Sequence, residues 1–92
     1  MEKSRQMISH FYDITIEMEP KNNYLSHLYA IYGHHTAMFS IESGELMEGT
    51  FPEKESDLVA AWVLLHQQEL KMNWERSLQD SNYRMSSISS LV

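Results

Sequence analysis

The sequence predicts an α+β fold, a small antiparallel sheet of three to four strands followed by one or two C-terminal helices. Two observations lead to this prediction. Up to residue 47, two segments alternate between apolar and polar side chains, and a third segment, residues 25–32, is mostly apolar on both faces; both patterns are typical of strands. After residue 50, apolar side chains recur at the spacing of one helix face. A chain of 92 residues has room for one such domain, which is predicted over residues 1–80.

Three segments in the first half of the chain carry the strand pattern, and a fourth is shorter. The strands are predicted over residues 10–18, 25–32 and 36–41, with the short one at 46–47. Turns are expected at 20–23, 32–35 and 42–45, where Gly33 supplies positive φ to the second turn. In the first strand, the residues expected to share one face are Tyr12, Ile14, Ile16 and Met18.

Residues 50–80 carry the helical pattern. Thr50 is expected to cap the helix, and Glu53 to complete a capping box by reaching back to it. Two apolar stripes follow, on roughly opposite sides of a straight helix. The first stripe consists of Leu58, Ala61, Trp62 and Leu65, and the second of Leu70, Trp74 and Leu78. Because a straight helix would have to bury both faces, we expect either a break near residues 66–68 or a homodimer that uses the second stripe.

The end of the chain differs from the rest in composition. Five of the residues from 81 to 92 are serine, and the helical pattern does not continue into them. A segment with little apolar surface to bury does not compensate the entropy lost on ordering. A mobile tail is therefore predicted over residues 81–92.

Composition and charge narrow the function classes. The net charge is −6 and the seven Lys and Arg residues are scattered, which disfavours direct binding to nucleic acid and favours a basic protein partner. The chain has no cysteine, which excludes disulfides, a thiolate nucleophile and cysteine-ligated metals. No apolar run is long enough for a signal peptide or a membrane span, so a cytoplasmic protein is predicted.

Three of the five histidines lie between residues 22 and 35, which raises the question of a metal or catalytic site. Only His27 lies within a predicted strand, where it shares a face with Tyr29, a poor zinc ligand. His34 and His35 are adjacent in a predicted turn. A divalent metal needs three or four well-placed ligands. We therefore predict ordinary strand and turn histidines, with no metal, no cofactor and no catalytic residue; an acid–base site and a partner contact are the alternatives.

The second half of the chain carries a recognisable order of residues. They are Gly44-Glu45-Leu46-Met47-Glu48-Gly49, Phe51-Pro52, Trp62, His66, Glu69-Leu70 and Asn73-Trp74. In this order and spacing the chain resembles the small bacterial and phage family catalogued as domain of unknown function 4160, over roughly residues 11–77. Members are often encoded beside a small partner and have been suspected of belonging to toxin–antitoxin pairs. The resemblance thus implies a toxin–antitoxin, phage or mobile-element context.

The chain departs from the family in one segment. The family usually carries a His-Asn-Pro-Pro-His-Phe-His type segment just before a Tyr-Gly pair. Tyr32-Gly33 is present here, but only the middle histidine remains, as His27, while Asn23 and Tyr29 occupy the outer positions. This loss weakens the expectation of histidine chemistry that the family segment would imply.

The predicted function is that of a non-enzymatic, acidic protein-binding module, an inhibitor that binds and restrains another protein. Acidic turn residues and strand tyrosines are the groups expected to contact the partner. These residues are His27, Tyr29, Tyr32, Glu42, Glu45 and Glu48. Two alternatives remain open: a toxin-like component with hydrolase or nuclease activity, and a structural homo-oligomer in which Leu70, Trp74 and Leu78 make the contact.

Overall fold

Five strands and two helices follow one another along the chain in the computed structural model, which describes residues 5–19, 25–80 and 82–91. The strands are β1 (Gln6–Phe11), β2 (Ile14–Met18), β3 (His27–Tyr32), β4 (His35–Ser40) and β5 (Leu46–Gly49). The helices are α1 (Glu53–Leu65) and α2 (Gln67–Gln79). Each strand pairs antiparallel with its neighbours in the chain, in the order β1-β2-β3-β4-β5. The α+β class and the antiparallel sheet followed by helices are confirmed, whereas the predicted count of three to four strands was too low.

The additional strand comes from the segment 10–18, which the alternation predicted as one strand. Tyr12 and Asp13 instead form a two-residue turn between β1 and β2, with φ values of 50° and 64°. Ile14 is buried as predicted, but Tyr12 is 56% exposed. Glycine or asparagine usually marks a turn with two positive φ values, so the Tyr-Asp pair concealed this one. The turn predicted at residues 20–23 lies outside the described residues.

The helices and the apolar residues of one sheet face form the core. In β3, Leu28 and Ala30 are buried, while Tyr29 and Ile31 on the other face are only half-buried. Phe11 of β1 meets Trp62 of α1 at 5.5 Å between ring centroids. On the opposite sheet face, α2 covers the first residue of β3, His27.

The helical region breaks at His66, whose φ of −118° and ψ of 27° separate α1 from α2. A break near residues 66–68 was one of the two predicted outcomes and is confirmed. Pro52, rather than Thr50, stands at the N-cap of α1, and no side chain caps the first turn. The predicted capping box is therefore wrong.

The buried stripe of α1 is displaced from the predicted one. It consists of Val59, Trp62 and Val63. Leu65 is 69% exposed, because the sheet lies on the side of the helix that carries Val63. In α2, Leu70 and Trp74 are buried within the chain and Leu78 is partly exposed, so two of the three predicted oligomer contacts belong to the core of one subunit. The homodimer stays a prediction.

Residues 82–91 form neither helix nor strand, yet they pack against the domain. Met85 and Ile88 are buried, and Leu91 packs against the same core. A mobile tail was predicted over residues 81–92, and that prediction did not foresee these contacts. Serines separate the apolar residues, so no helix or strand pattern was visible. Ser81 and Val92 lie outside the described residues. In the parts of the chain that the structure describes, neither helix is long and apolar enough to cross a membrane.

Candidate protein-binding surface

Five side chains, one from each strand, form a row across the sheet face opposite the hydrophobic core. The strand register pairs Met7 with Glu17 and Glu17 with Tyr29. It then pairs Tyr29 with Met38 and Met38 with Glu48. Because directly paired residues point to the same face of a sheet, the row is continuous from β1 to β5. The row mixes apolar, aromatic and acidic groups, and Met38 within it is buried, at 6% exposed.

Tyr29 lies at the centre of this row and is held in place from several sides. The Arg5 guanidinium lies over its ring, 3.9 Å from the centroid, in the geometry of a cation–π contact. Its hydroxyl donates to Glu19 Oε1 at 3.2 Å. Arg5 also lies 3.8 Å from Glu17 Oε1. The ring is thus fixed before any partner arrives, which lowers the entropy lost on binding.

A shallow depression of about 150 Å³ opens between Tyr29 and the edge of the sheet. Glu48 stands at its rim, and Gly49 provides part of its wall. Gly49 has a φ of 88°, and a Cβ added there would lie 2.6 Å from the Thr36 carbonyl oxygen. Only glycine fits this close approach of two backbones. The depression therefore depends on one backbone position as well as on its side chains.

The two edges of the sheet differ in what covers them. At the β1 edge, the Ile8 carbonyl oxygen accepts a hydrogen bond from the N–H of Ile88, 2.8 Å away. Among the described strands, β5 pairs only with β4. The register shifts between Met38 and Phe39, so that Met47 of β5 is the extra residue of a bulge. A short, bulged strand thus forms the open edge, and Glu48 is exposed on it.

The acidic turn before β5 is anchored to the helices. Gln67 Nε2 donates to the carbonyl oxygens of Ile41 and Glu42, at 3.0 and 2.7 Å. Lys71 Nζ lies 3.6 Å from the carboxylate of Glu42, which is nevertheless 70% exposed. A Cβ on Gly44 would lie 3.2 Å from the backbone of Ala60, so the turn packs directly on α1. The turn is a fixed support that presents carboxylates beside the β5 edge.

The structure brings some of the predicted partner-binding residues together and separates others. Tyr29 and Glu48 line the same depression, and Glu45 precedes β5 in the acidic turn. Tyr32 is half-buried and tilts against Phe51, at 6.2 Å between ring centroids. It alternates with Tyr29 along β3 and so belongs to the helix-covered face.

His27 is 1% exposed, with its ring 5.0 Å from that of Trp74. Its Nδ1 lies 2.7 Å from the carbonyl oxygen of Leu25. The first residue of β3 is buried because α2 crosses it, which the alternation along the strand could not indicate. His27 packs edge-on against the Tyr29 ring, at 5.4 Å between ring centroids, and α2 covers it, so it is not displayed on the surface.

Sequence reasoning missed Arg5, Glu17 and Met38 as members of the surface. Glu17 and Met38 belong to it because the strand register pairs each of them with Tyr29, and Arg5 belongs to it through its contact with the Tyr29 ring. The Tyr12-Asp13 turn sets the register of β2 against β1, and neither of its residues identified it as a turn. A glycine such as Gly49, placed where a strand pattern ends, was the one available signal of a close backbone approach.

The remaining histidines occupy separate places. His34 and His35 stack on each other in the β3–β4 connection, at 4.6 Å between ring centroids. His66 Nδ1 lies 2.6 Å from Glu69 Oε1 at the helix break. Across residues 5–19, 25–80 and 82–91, no three histidine or carboxylate side chains form a group that could hold a metal ion. The absence of a bound metal stays a prediction.

The model of a family described as domain of unknown function (DUF4160) matches residues 12–75, which is more than half of the chain. The chain belongs to this family. The DUF4160 match includes β2 to β5, α1 and most of α2, and it confirms the resemblance predicted for residues 11–77. It leaves β1 and residues 82–91 outside the DUF4160 region. No curated protein and no solved structure matches the chain.

Proposed function

We propose that this protein is a non-enzymatic binding module that engages a basic protein partner at the β5 edge and restrains it. The observation that carries the proposal is the position of β5. β5 is an outer strand of the sheet, and Glu48 on it lines the same depression as Tyr29. Glu45 lies in the turn that leads into β5. An open strand edge supplies backbone donors and acceptors to an extended segment of another protein.

Charge supports the choice of a basic partner. The chain carries −6, and Glu45 and Glu48 are exposed beside the open edge. Complementary charges raise the association rate and select among partners. Rim carboxylates of this kind should therefore govern how fast the partner arrives and how strongly salt weakens the complex.

Tyr29 supplies the anchoring contact in this proposal. Aromatic side chains at the centre of an interface carry a large share of the binding free energy. The ring is already fixed by Arg5 and Glu19, so little of its freedom is lost on binding. Its truncation is expected to cost about 2 kcal/mol of binding free energy or more.

Membership of the DUF4160 family supports a two-gene context for the partner. The family resemblance carries an association with small neighbouring genes and suspected toxin–antitoxin pairs. We therefore place the restrained protein in such a system, encoded by a cell, a phage or a mobile element. A toxin-like hydrolase or nuclease and a structural homo-oligomer are the competing outcomes of the test.

The test begins with capture of the partner from the native host and its identification by mass spectrometry. Tyr29→Ala and Glu45→Lys are each expected to weaken capture, while His27→Ala is compared with them both for capture and for hydrolytic activity. If His27→Ala alone abolishes a nuclease activity of the purified protein, and the other two variants bind and act normally, the enzyme alternative replaces this proposal.

A further inference from the structure

The C-terminal strap, defined here as residues 82–91, is bound by the domain through its backbone. The Asn73 side chain donates from Nδ2 to the carbonyl oxygen of Ser86 at 3.0 Å and accepts from the N–H of Ser86 at 2.9 Å. Trp62 Nε1 donates to the carbonyl oxygen of Ser89 at 2.8 Å. A buried side-chain amide that pairs with both the N–H and the C=O of one residue binds the backbone of an extended chain, whatever side chain that residue carries.

The β1 edge completes this set of backbone contacts. The Gln6 side-chain oxygen accepts from the N–H of Met85 at 2.9 Å, and the Ile8 carbonyl oxygen accepts from the N–H of Ile88 at 2.8 Å. Contacts to the strap therefore come from β1 and α1, which are far from it in sequence, and from α2, which precedes it. None of these contacts depends on the strap being joined to the end of α2.

Side chains of the strap enter the domain at a regular spacing. Met85 and Ile88 are buried, and Leu91 is partly buried against the same core. These apolar residues are three apart, and Ser86, Ser87 and Ser89 between them are exposed. A period of three is that of an extended, polyproline-like segment, whose side chains return to the same side every third residue. The domain thus contacts apolar side chains that are three residues apart, and it also contacts the backbone between them.

The strap does not fill all of the space beside α2. A depression of about 130 Å³ remains between the strap and α2. Its lining includes Met72 and Arg76 of α2 and Ser87 of the strap, and Met72 is itself exposed. The depression opens to solvent at the boundary between strap and domain.

We propose that the groove formed by the outer edge of β1, Trp62 and Asn73 is a recognition site for extended segments with apolar residues three apart. The strap is its resident ligand in cis, and the same segment of a second copy of this chain is its ligand in trans. Exchange of an identical segment between two copies preserves every contact and is a low-cost route to a dimer. This site lies at the β1 edge, so it is independent of the partner proposed for β5.

The test uses a fluorescent synthetic peptide with the sequence of residues 82–91, NYRMSSISSL, and the complete chain. In the unaltered protein the groove is filled by its own strap, whereas Met85→Ser together with Ile88→Ser empties it. We expect the peptide to bind the double variant at least about tenfold more tightly than the unaltered protein, as measured by fluorescence polarisation. A peptide that carries Met85→Ser and Ile88→Ser should bind neither protein. Equal binding of the natural peptide to both proteins, or binding to neither, would overturn the proposal.

Two further measurements separate recognition from simple loss of structure. Asn73→Ala added to the double variant should weaken peptide binding at least about tenfold, because the two backbone contacts to Ser86 are lost. Hydrogen exchange on the unaltered chain provides a test even if the double variant does not fold. The amides of Met85, Ser86 and Ile88 should exchange at least about tenfold faster than the protected amides of β2 and β3. If they exchange only in the same global opening, the strap is a fixed part of the core and the proposal is wrong.

Discussion

Asn73 and Ser86 are joined by two hydrogen bonds that run in opposite directions, at 3.0 and 2.9 Å. The same Asn73 oxygen also accepts from the hydroxyl of Tyr83 at 3.1 Å. One buried side chain on α2 thereby fixes the course of the segment that covers the β1 edge. The strap and the domain are coupled through this residue more than through any regular secondary structure.

Asn73→Ala is expected to lower the free energy of unfolding by about 2–3 kcal/mol, since each lost hydrogen bond contributes about 1 kcal/mol and buried groups lose their partners. Asn73→Asp keeps the oxygen that accepts from Ser86 and Tyr83 but replaces the donor. Urea denaturation should therefore place both variants below the natural protein. Ser87→Ala is the control, because Ser87 is exposed on the strap and should change stability by less than about 0.5 kcal/mol.

Two glycines with positive φ provide a matched pair of substitutions. At Gly49 an added Cβ would lie 2.6 Å from the Thr36 carbonyl oxygen, whereas at Gly33 nothing lies within 4 Å. Gly33→Ala should cost about 1 kcal/mol, the strain of a left-handed conformation alone. Gly49→Ala should cost about 2–3 kcal/mol, because the clash forces β4 and β5 apart. Thermal or urea unfolding measures both, and equal losses would show that the contact between β4 and β5 is looser than described.

The Tyr12-Asp13 turn offers a stabilising change. Both residues adopt positive φ, and neither is the residue that this turn prefers. Replacing them with Asn and Gly should raise the free energy of unfolding by about 1 kcal/mol, because glycine and asparagine adopt the conformation with less strain. Tyr12→Ala alone keeps a strained residue and is the control. A loss of stability in the Asn-Gly variant would mean that the exposed Tyr12 ring makes a stabilising contact.

Much of this fold could be predicted from the pattern of apolar residues. An apolar run located β3 and alternation located β4, each to within a few residues, and the conflict between two helical stripes gave a break near His66 as one of two predicted outcomes. Such patterns succeed where one face of an element is buried along its whole length. They failed at Tyr12-Asp13, because the alternation continues through this turn and neither glycine nor asparagine marks it.

The candidate surface was less accessible to prediction than the fold. Tyr29 and Glu48 were identified, but their proximity follows from the β3–β4–β5 register. His27 was expected on the surface because it alternates with Leu28, yet α2 covers it. Burial at the end of a strand depends on which helix crosses it, and no local pattern encodes that crossing. The strap was missed for a similar reason, since its apolar residues have a period of three that neither helices nor strands share.

The displaced stripe of α1 gives another paired prediction. Val63 is fully buried and Leu65 is 69% exposed, although the sequence pattern assigned Leu65 to the core. Val63→Ala should lower the free energy of unfolding by about 1–2 kcal/mol through lost burial and a small cavity. Leu65→Ala should change it by less than about 0.5 kcal/mol. The reverse order in urea denaturation would place the predicted stripe, and not the observed one, against the sheet.

A protein partner that binds at the β5 edge should lose affinity when a charge on that edge is reversed. Glu48→Lys reverses a charge on β5, and Glu75→Lys makes the same change on the exposed face of α2. Isothermal titration calorimetry with the purified partner should show at least about a tenfold loss of affinity for Glu48→Lys. Glu75→Lys should change the affinity by less than about twofold. Equal effects of the two substitutions, or no effect of Glu48→Lys, would mean that the partner does not bind at the β5 edge.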